Sequence, residues 1–306
     1  MEKIYQYYFI NEEVIKIEYS SNLRKNYADD LFEKVPDHII KMVAKKELIK
    51  LKKINFSCLL AKIGYNKIEL GKLLCNKTYH PKCYFNLDNI SENKKYLLKP
   101  ASESGGKGIK IVENIKEIPI NHFLQEIIEP DFIEGKKYDL RVYLLIIKYN
   151  NKKYYYLSTD GKIRISLNNY KIDDAKSVII NSSQINKDSN IFHQQLKWSY
   201  LKDYNFNEIE KITADFISLL NIDNVNNIFN IYGLDFIKDI NNKYYLLEIN
   251  NLPNFYHPND SKDIKEMKTN INQEINNILE NIMFDSDNIL SFWQLFLPKT
   301  NIHFEI

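Results

Sequence analysis

Two acids and an amide near the end of the chain have the types and spacing to hold a cation. They lie in residues 233–253, GLDFIKDINNKYYLLEINNLP. Asn tolerates the positive φ that tight hairpin turns require, so Asn241 and Asn242 predict a two-residue turn. That turn sets Asp235 directly opposite Glu248, and strand alternation puts Asn250 on the same face as Glu248. Opposed Cβ atoms lie roughly 4.5–5.5 Å apart, and like charges there repel. Two carboxylates and an amide oxygen converging this way call for a cation. Such donors suit Mg²⁺, which keeps several waters and bridges nucleotide phosphates. The competing reading is an acid pair splayed into solvent.

A second constellation is KKYDLRVYLLI at 136–146. Lys137, Asp139 and Arg141 alternate with Tyr138, Leu140 and Val142. The run 142–147 is continuously apolar, which predicts a strand buried on both sides. Charges entering such a strand need a partner, and a polyanion would supply one. GKIRIS at 161–166 repeats the arrangement with Lys162 and Arg164. The third constellation is YLLKPASESGGKGIKI at 96–111, where Lys99 precedes a loop with Gly105, Gly106, Lys107 and Gly108. Glycines let backbone N–H groups approach phosphates closely. The spacing is not that of a Walker loop, and many glycine-rich hairpins are plain surface turns.

The elements that position these residues follow from periodicity. Residues 67–75 read as a helix, and 94–100 and 109–114 as the arms of a hairpin. From 125 to 260 the pattern is rich in strands, with helices over 207–220 and 261–282. The first sixty residues read as helical and basic, with a helix from Asp37 to about Lys53 whose lysine-rich face is either solvated or a dock for an acidic partner. The 306 residues carry 42 basic and 40 acidic side chains, a net charge of +2 that excludes an all-over cationic coat for nucleic acid. Mean hydropathy is −0.42, and no apolar run reaches the roughly 20 residues a membrane helix needs. Three cysteines without a zinc spacing, and no signal-peptide pattern at the start, read as a cytoplasmic chain. The six histidines form no i, i+4 pair and read as structural or surface residues. Trp198 and Trp293 read as core anchors.

The order of these segments resembles the tubulin tyrosine ligase-like family of the ATP-grasp superfamily. The resemblance rests on YLLKPASESGGKGI, FLQEIIEPDFIEGKKYDLRVYLLI and YGLDFIKDINNKYYLLEINNLPN. It implies an α+β ATP-grasp fold with mixed and antiparallel sheets and flanking helices. The expected units are a helical, basic domain over 1–60, a central domain over 61–124, and a C-terminal domain over 125–306. The resemblance also implies ATP and Mg²⁺. Lys99 and Lys137 would contact phosphate and adenine, and Gly106, Lys107 and Gly108 would cover the phosphates. Gln125, Glu126 and Ile128 would form the adenine hinge, and Asp139 would contact the ribose. Asp235, Glu248 and Asn250 would bind the metal. Arg141 and Arg164 would face the terminal phosphate and the reacting carboxyl. A family block is reduced here to Ile179, Ile180 and Asn181, and either Lys67 or Lys72 matches a lysine on the family's early helix. The implied reaction joins a free amino acid to a carboxylate of an acidic protein acceptor, such as a tubulin tail, through an acyl phosphate. Two other readings stand beside it: a ligase of small amino acids or peptides, and a nucleotide-binding module without turnover.

Overall fold

The computed structural model describes residues 4–10, 13–19, 52–55, 66–103, 105–149, 151–180, 195–201, 203–220, 222, 228–251, 253, 260–284 and 293–295. The start of the chain corrects the helical expectation. β1 (Ile4–Ile10) and β2 (Glu13–Tyr19) pair antiparallel, with Ile10 opposite Glu13, and β3 (Lys52–Asn55) runs parallel to β2. Tyr and Ile crowd β1, and aromatic and β-branched residues fit a pleated surface better than a helix. Lys52 and Lys53 lie in a strand, and the rest of the expected basic helix falls outside the described residues.

A short helix, α1 (Lys67–Leu74), follows. Its N-cap Asn66 accepts from the Ile68 and Glu69 amides at 3.0 and 3.4 Å. A four-stranded sheet comes next, built from β4 (Cys83–Tyr84), β5 (Tyr96–Pro100), β6 (Lys110–Val112) and β7 (His122–Glu126) in the order β4-β7-β5-β6. β5 and β6 form the expected hairpin, and Gly105, Gly106 and Gly108 in its loop have φ of 64°, 69° and 73°. That left-handed backbone strains any residue with a Cβ.

The larger sheet has eight strands. It comprises β8 (Phe132–Ile133), β9 (Lys136–Tyr149), β10 (Lys152–Ser158), β11 (Lys162–Ile165), β12 (Gln195–Lys197), β13 (Ile228–Lys238), β14 (Tyr244–Asn251) and β15 (Trp293–Leu295). β9 is its axis. One edge pairs with β13; the other pairs first with β11 and then with β10. Every side chain from Val142 to Ile147 is 1% exposed or less, as a strand covered on both faces requires. The short helix α2 (Ala175–Val178) lies beside β9. Helix α3 (Phe206–Ser218) adds Ile209, Ile212, Phe216 and Ile217 to the same core. Helix α4 (Lys262–Phe284) buries Ile264, Met267, Ile271, Ile275 and Ile278 in the i, i+3/i+4 rhythm of one helix face. Trp198 is 2% exposed and anchors the core, whereas the side chain of Trp293 lies outside the described residues. The fold is a mixed α+β arrangement dominated by antiparallel sheet. Among the described residues no helix is long and apolar enough to cross a membrane.

The β13–β14 hairpin reaches the expected pairing by a different route. Its turn is a three-residue loop, Ile240, Asn241 and Asn242, closed by the Asp239 amide donating to the Lys243 carbonyl at 2.9 Å. Asn242 takes the left-handed conformation at φ 65°. The longer loop shifts the register by one next to the turn, so Phe236 pairs with Leu246. An irregularity between Asp235 and Phe236 restores the register, leaving Leu247 as the extra residue, and Asp235 pairs with Glu248. Without that bulge the acids would fall out of step.

Candidate active site

A cleft lies between the four-stranded sheet and the eight-stranded sheet. Lys99, Gly106, Gln125, Glu126 and Ile128 line it from the first sheet and its flanking loops; Lys137, Asp139, Arg164, Asp235 and Glu248 line it from the second. Strand alternation puts Lys137, Asp139 and Arg141 on one face of β9. β11 lies antiparallel to it with Arg164 opposite Asp139 and Lys162 opposite Arg141. β13 lies on the other side with Asp235 opposite Arg141. Three neighbouring strands therefore bring the charged side chains to one place.

The charges interlock. Asp235 accepts from Arg141 Nε and, at 2.8 Å, from Arg141 Nη2, and its Oδ2 lies 3.1 Å from Arg164 Nη2. Asn250 Nδ2 donates to the same oxygen at 2.9 Å. Arg164 also donates to Asp139 at 2.5 Å. Burial alone would raise the Asp235 carboxyl, but the two guanidiniums outweigh it and hold the pKa at about 2. At Asp139 burial wins, with the Asp235 charge adding to it against Arg164, and the carboxyl is raised above its ordinary range. Lys99 Nζ donates to Gln125 Oε1 at 3.0 Å, and burial lowers its pKa. Lys137 donates to the Val178 carbonyl, and burial brings it down to about 8.

The amide of Glu126 donates to the Lys82 carbonyl at 2.9 Å, and its carboxylate is held by Tyr84 at 2.8 Å and Lys94 at 2.9 Å. The group it can offer the cleft is its main-chain carbonyl. Behind Lys99 and Gln125 sit His80 and Cys83. The His80 ring meets the Leu246 carbonyl at 2.7 Å, and burial lowers its pKa to about 4. Burial pushes the Cys83 thiol up to about 11, where it is unreactive at neutral pH.

The residues fit a hard divalent cation. Asp235 and Glu248 are directly opposed, Asn250 already touches Asp235, and cations hold both acids. Arg141 and Arg164 serve Asp235, and Lys67 lies 3.1 Å from Glu248. All three candidate donors are oxygen-bearing, as Mg²⁺ prefers. Among the described residues no cluster of three or more His, Cys, Asp or Glu offers another metal site.

Not every expected residue lines the cleft. Lys107 and Gly108 are exposed on the loop, and Gly108 serves the turn, since a Cβ there would lie 3.2 Å from Pro100. Arg141 and Asn250 stand just behind the lining, joined to it through Asp235. The two lysines on α1 stand in different places. Lys67 lines the cleft and donates to the Glu103 carbonyl at 2.8 Å, whereas Lys72 is exposed beside Glu69. The Lys67 amide also donates to the Ala101 carbonyl at 2.7 Å, tying the helix start to the glycine loop. Sequence reasoning missed the apolar walls, Leu97, Ile127, Val178, Ile237 and Leu247, which carry no signal beyond strand alternation. Ile179 and Ile180 join that wall, and Asn181 lies outside the described residues.

The model of the tubulin-tyrosine ligase family matches residues 77–203 and 180–288. A tubulin polyglutamylase of Homo sapiens is 30% identical over 216 residues, 58% of this chain and 24% of that protein. A probable alpha-tubulin polyglutamylase of Tetrahymena thermophila is 29% identical over 231 residues, 61% of this chain and 54% of that protein. A tubulin glycylase of the same organism is 24% identical over 209 residues, 57% of this chain and 19% of that protein. The aligned part thus spans about a quarter of the human relative and about half of the Tetrahymena polyglutamylase.

Proposed function

The chain belongs to the tubulin-tyrosine ligase family, and from that premise we propose that it is an ATP-dependent amide ligase of ATP-grasp organisation. Its substrates in this reading are a free amino acid and a carboxylate on an acidic protein tail, tubulin's first among them. The observation that carries the proposal is the pairing of Asp235 with Glu248, beside Asn250, in a cleft that also holds Lys67, Lys99, Lys137 and Arg164.

ATP would lie between the units 61–124 and 125–306. Gln125, Glu126 and Ile128 would hold the adenine against the apolar wall, and Asp139 the ribose. Lys99 and Lys137 would contact phosphate and adenine, with Gly106 of the glycine loop against the phosphates. Asp235, Glu248 and Asn250 would hold Mg²⁺, which supplies positive charge to offset the phosphate oxygens. Opening the Arg141–Asp235 pair would free a guanidinium for phosphate and a carboxylate for the cation. Neither group is then left buried and unpaired.

The proposed reaction is the one that membership of this family implies. The γ-phosphoryl group moves to an oxygen of the acceptor carboxylate, and ADP leaves with the electrons of the broken bond. The amine of the amino acid then forms a C–N bond as the C–O bond to phosphate breaks. Phosphate departs and the amine proton passes to solvent. Arg141 and Arg164 stabilise the charge that builds on the acyl phosphate and the tetrahedral intermediate. Holding the two reactants in line supplies much of the remaining acceleration.

The test is intact-mass analysis of tubulin-tail peptides incubated with the protein, MgATP and an amino-acid mixture. The relatives' names make glutamate and glycine the first two to include. A mass gain of one or more residues that requires ATP is the expected result. Unchanged peptides beside an ATP-binding protein would overturn the reading.

A further inference from the structure

A second charged cluster lies just beyond the arginine end of the cleft. Lys162 stands two residues before Arg164 on β11 and directly opposite Arg141 on β9. The three cations therefore share one face of the sheet. Like charges directly opposed repel, and each of these is answered by an acid. Arg141 and Arg164 turn to Asp235, while Lys162 turns to Asp260 at 2.8 Å. Asp260 also holds Lys268 at 2.5 Å. The side chains of Lys162, Asp260 and Lys268 are only 12%, 0% and 4% exposed. A buried ion triad contributes little stability beyond what a well-packed apolar cluster would, so its presence beside reactive arginines asks for a further reason.

The ligase reaction needs one more anion held than the nucleotide site accounts for. The attacking amino acid carries a carboxylate one carbon away from its amine. That carboxylate must lie close to the acyl carbon, on the side away from the departing phosphate. Lys162 is one cross-strand step past Arg141, roughly 4.5–5.5 Å between Cβ atoms, which matches that displacement. We propose that Lys162, oriented by Asp260 and backed by Lys268, binds the α-carboxylate of the amino acid that is added. The proposal rests on the ligase reading above. All amino acids carry this carboxylate, so the cluster anchors the substrate without selecting its side chain.

The test compares initial rates with L-glutamate and its α-amide, and with glycine and glycinamide, in the wild type, Lys162→Met and Lys162→Arg. A lost charge-assisted contact corresponds to a roughly 10- to 100-fold rise in KM for the amino acid in Lys162→Met. The same variant loses the wild type's preference for acid over amide, while its KM for ATP stays within about twofold. Lys162→Arg retains part of the preference. Lys162→Gln supplies a second neutral side chain for the comparison. An unchanged amino-acid KM in the neutral variants, or a parallel rise in the ATP KM that marks a merely structural role, overturns the proposal alone. A wild type that binds MgATP yet forms no amide overturns the ligase reading first.

Discussion

Asp235 is the hub of the site, and replacing it tests the electrostatic reasoning before any catalysis is measured. Asp235→Asn keeps the shape but removes the charge that two guanidiniums share. Breaking a buried ion pair by removing one partner costs about 3–5 kcal/mol. Arg164 keeps Asp139, 2.5 Å away, so the lower end of that range, about 3 kcal/mol, applies here. The depressed pKa gives a second figure. It stands at about 2 against an ordinary 3.8, and at about 1.4 kcal/mol per unit this amounts to roughly 2 kcal/mol. The two routes agree in order of magnitude. Because the folded pKa is lowered, this stability is fully present above about pH 4 and is lost as the pH falls through about 2. Urea unfolding at pH 7 without nucleotide will show a lower midpoint for Asp235→Asn. Adding Arg141→Met to that variant will recover part of the loss, with a coupling above about 1 kcal/mol. A variant as stable as the wild type at pH 7, or strictly additive single and double changes, would rule out a coupled Arg141–Asp235 pair.

The other predictions concern neighbouring groups. A Cβ at Gly233 would lie 2.9 Å from Arg141 Cδ and 3.1 Å from Pro253 Cβ, so Gly233→Ala will displace Arg141. We expect kcat to fall at least about tenfold while ATP affinity holds, as a rate assay beside a binding titration will show. Lys137 loses its proton near pH 8, so ATP affinity will weaken as the pH rises through that value, and Lys137→Met will flatten the profile. His80 has a folded pKa of about 4 against 6.5 unfolded, so between these values the unfolded chain takes up a proton that the folded one refuses. Stability will fall by up to roughly 3 kcal/mol as the pH drops from 6.5 to 4, and urea midpoints for His80→Gln will lack that slope.

The site was legible in the sequence wherever a side-chain period met a charge pattern. β9 contains the whole run 136–146, because its alternating start and apolar finish fit only a strand that enters a core. The pairing of Asp235 with Glu248 was reached from a two-residue turn that does not form. A three-residue loop and a bulge at Leu247 cancel, and bulges of this kind leave no clear mark in one sequence. The N-terminal hairpin was read as helix because interspersed glutamates and lysines masked the strand preference of its tyrosines and isoleucines. That Lys67 and not Lys72 lines the cleft is a tertiary placement, with the Lys67 ammonium reaching the Glu103 carbonyl, which no local pattern encodes. The Lys162–Asp260–Lys268 cluster joins residues about a hundred positions apart and became visible only when α4 packed beside β12, the neighbour of β11.

The proposed chemistry ties cleavage of ATP to formation of an amide through the acids on the β13–β14 hairpin. Glu248 is 31% exposed and paired only with Lys67 among the described residues, so Glu248→Gln will leave the fold within about 1 kcal/mol of the wild type. The decisive measurement follows ADP release and amide formation together, with an acidic-tail peptide and an amino acid, in the wild type and in Glu248→Gln. One ADP is expected for each amide bond in the wild type, and neither product in the variant. Amide formation without ADP, or undiminished turnover in Glu248→Gln, would contradict it.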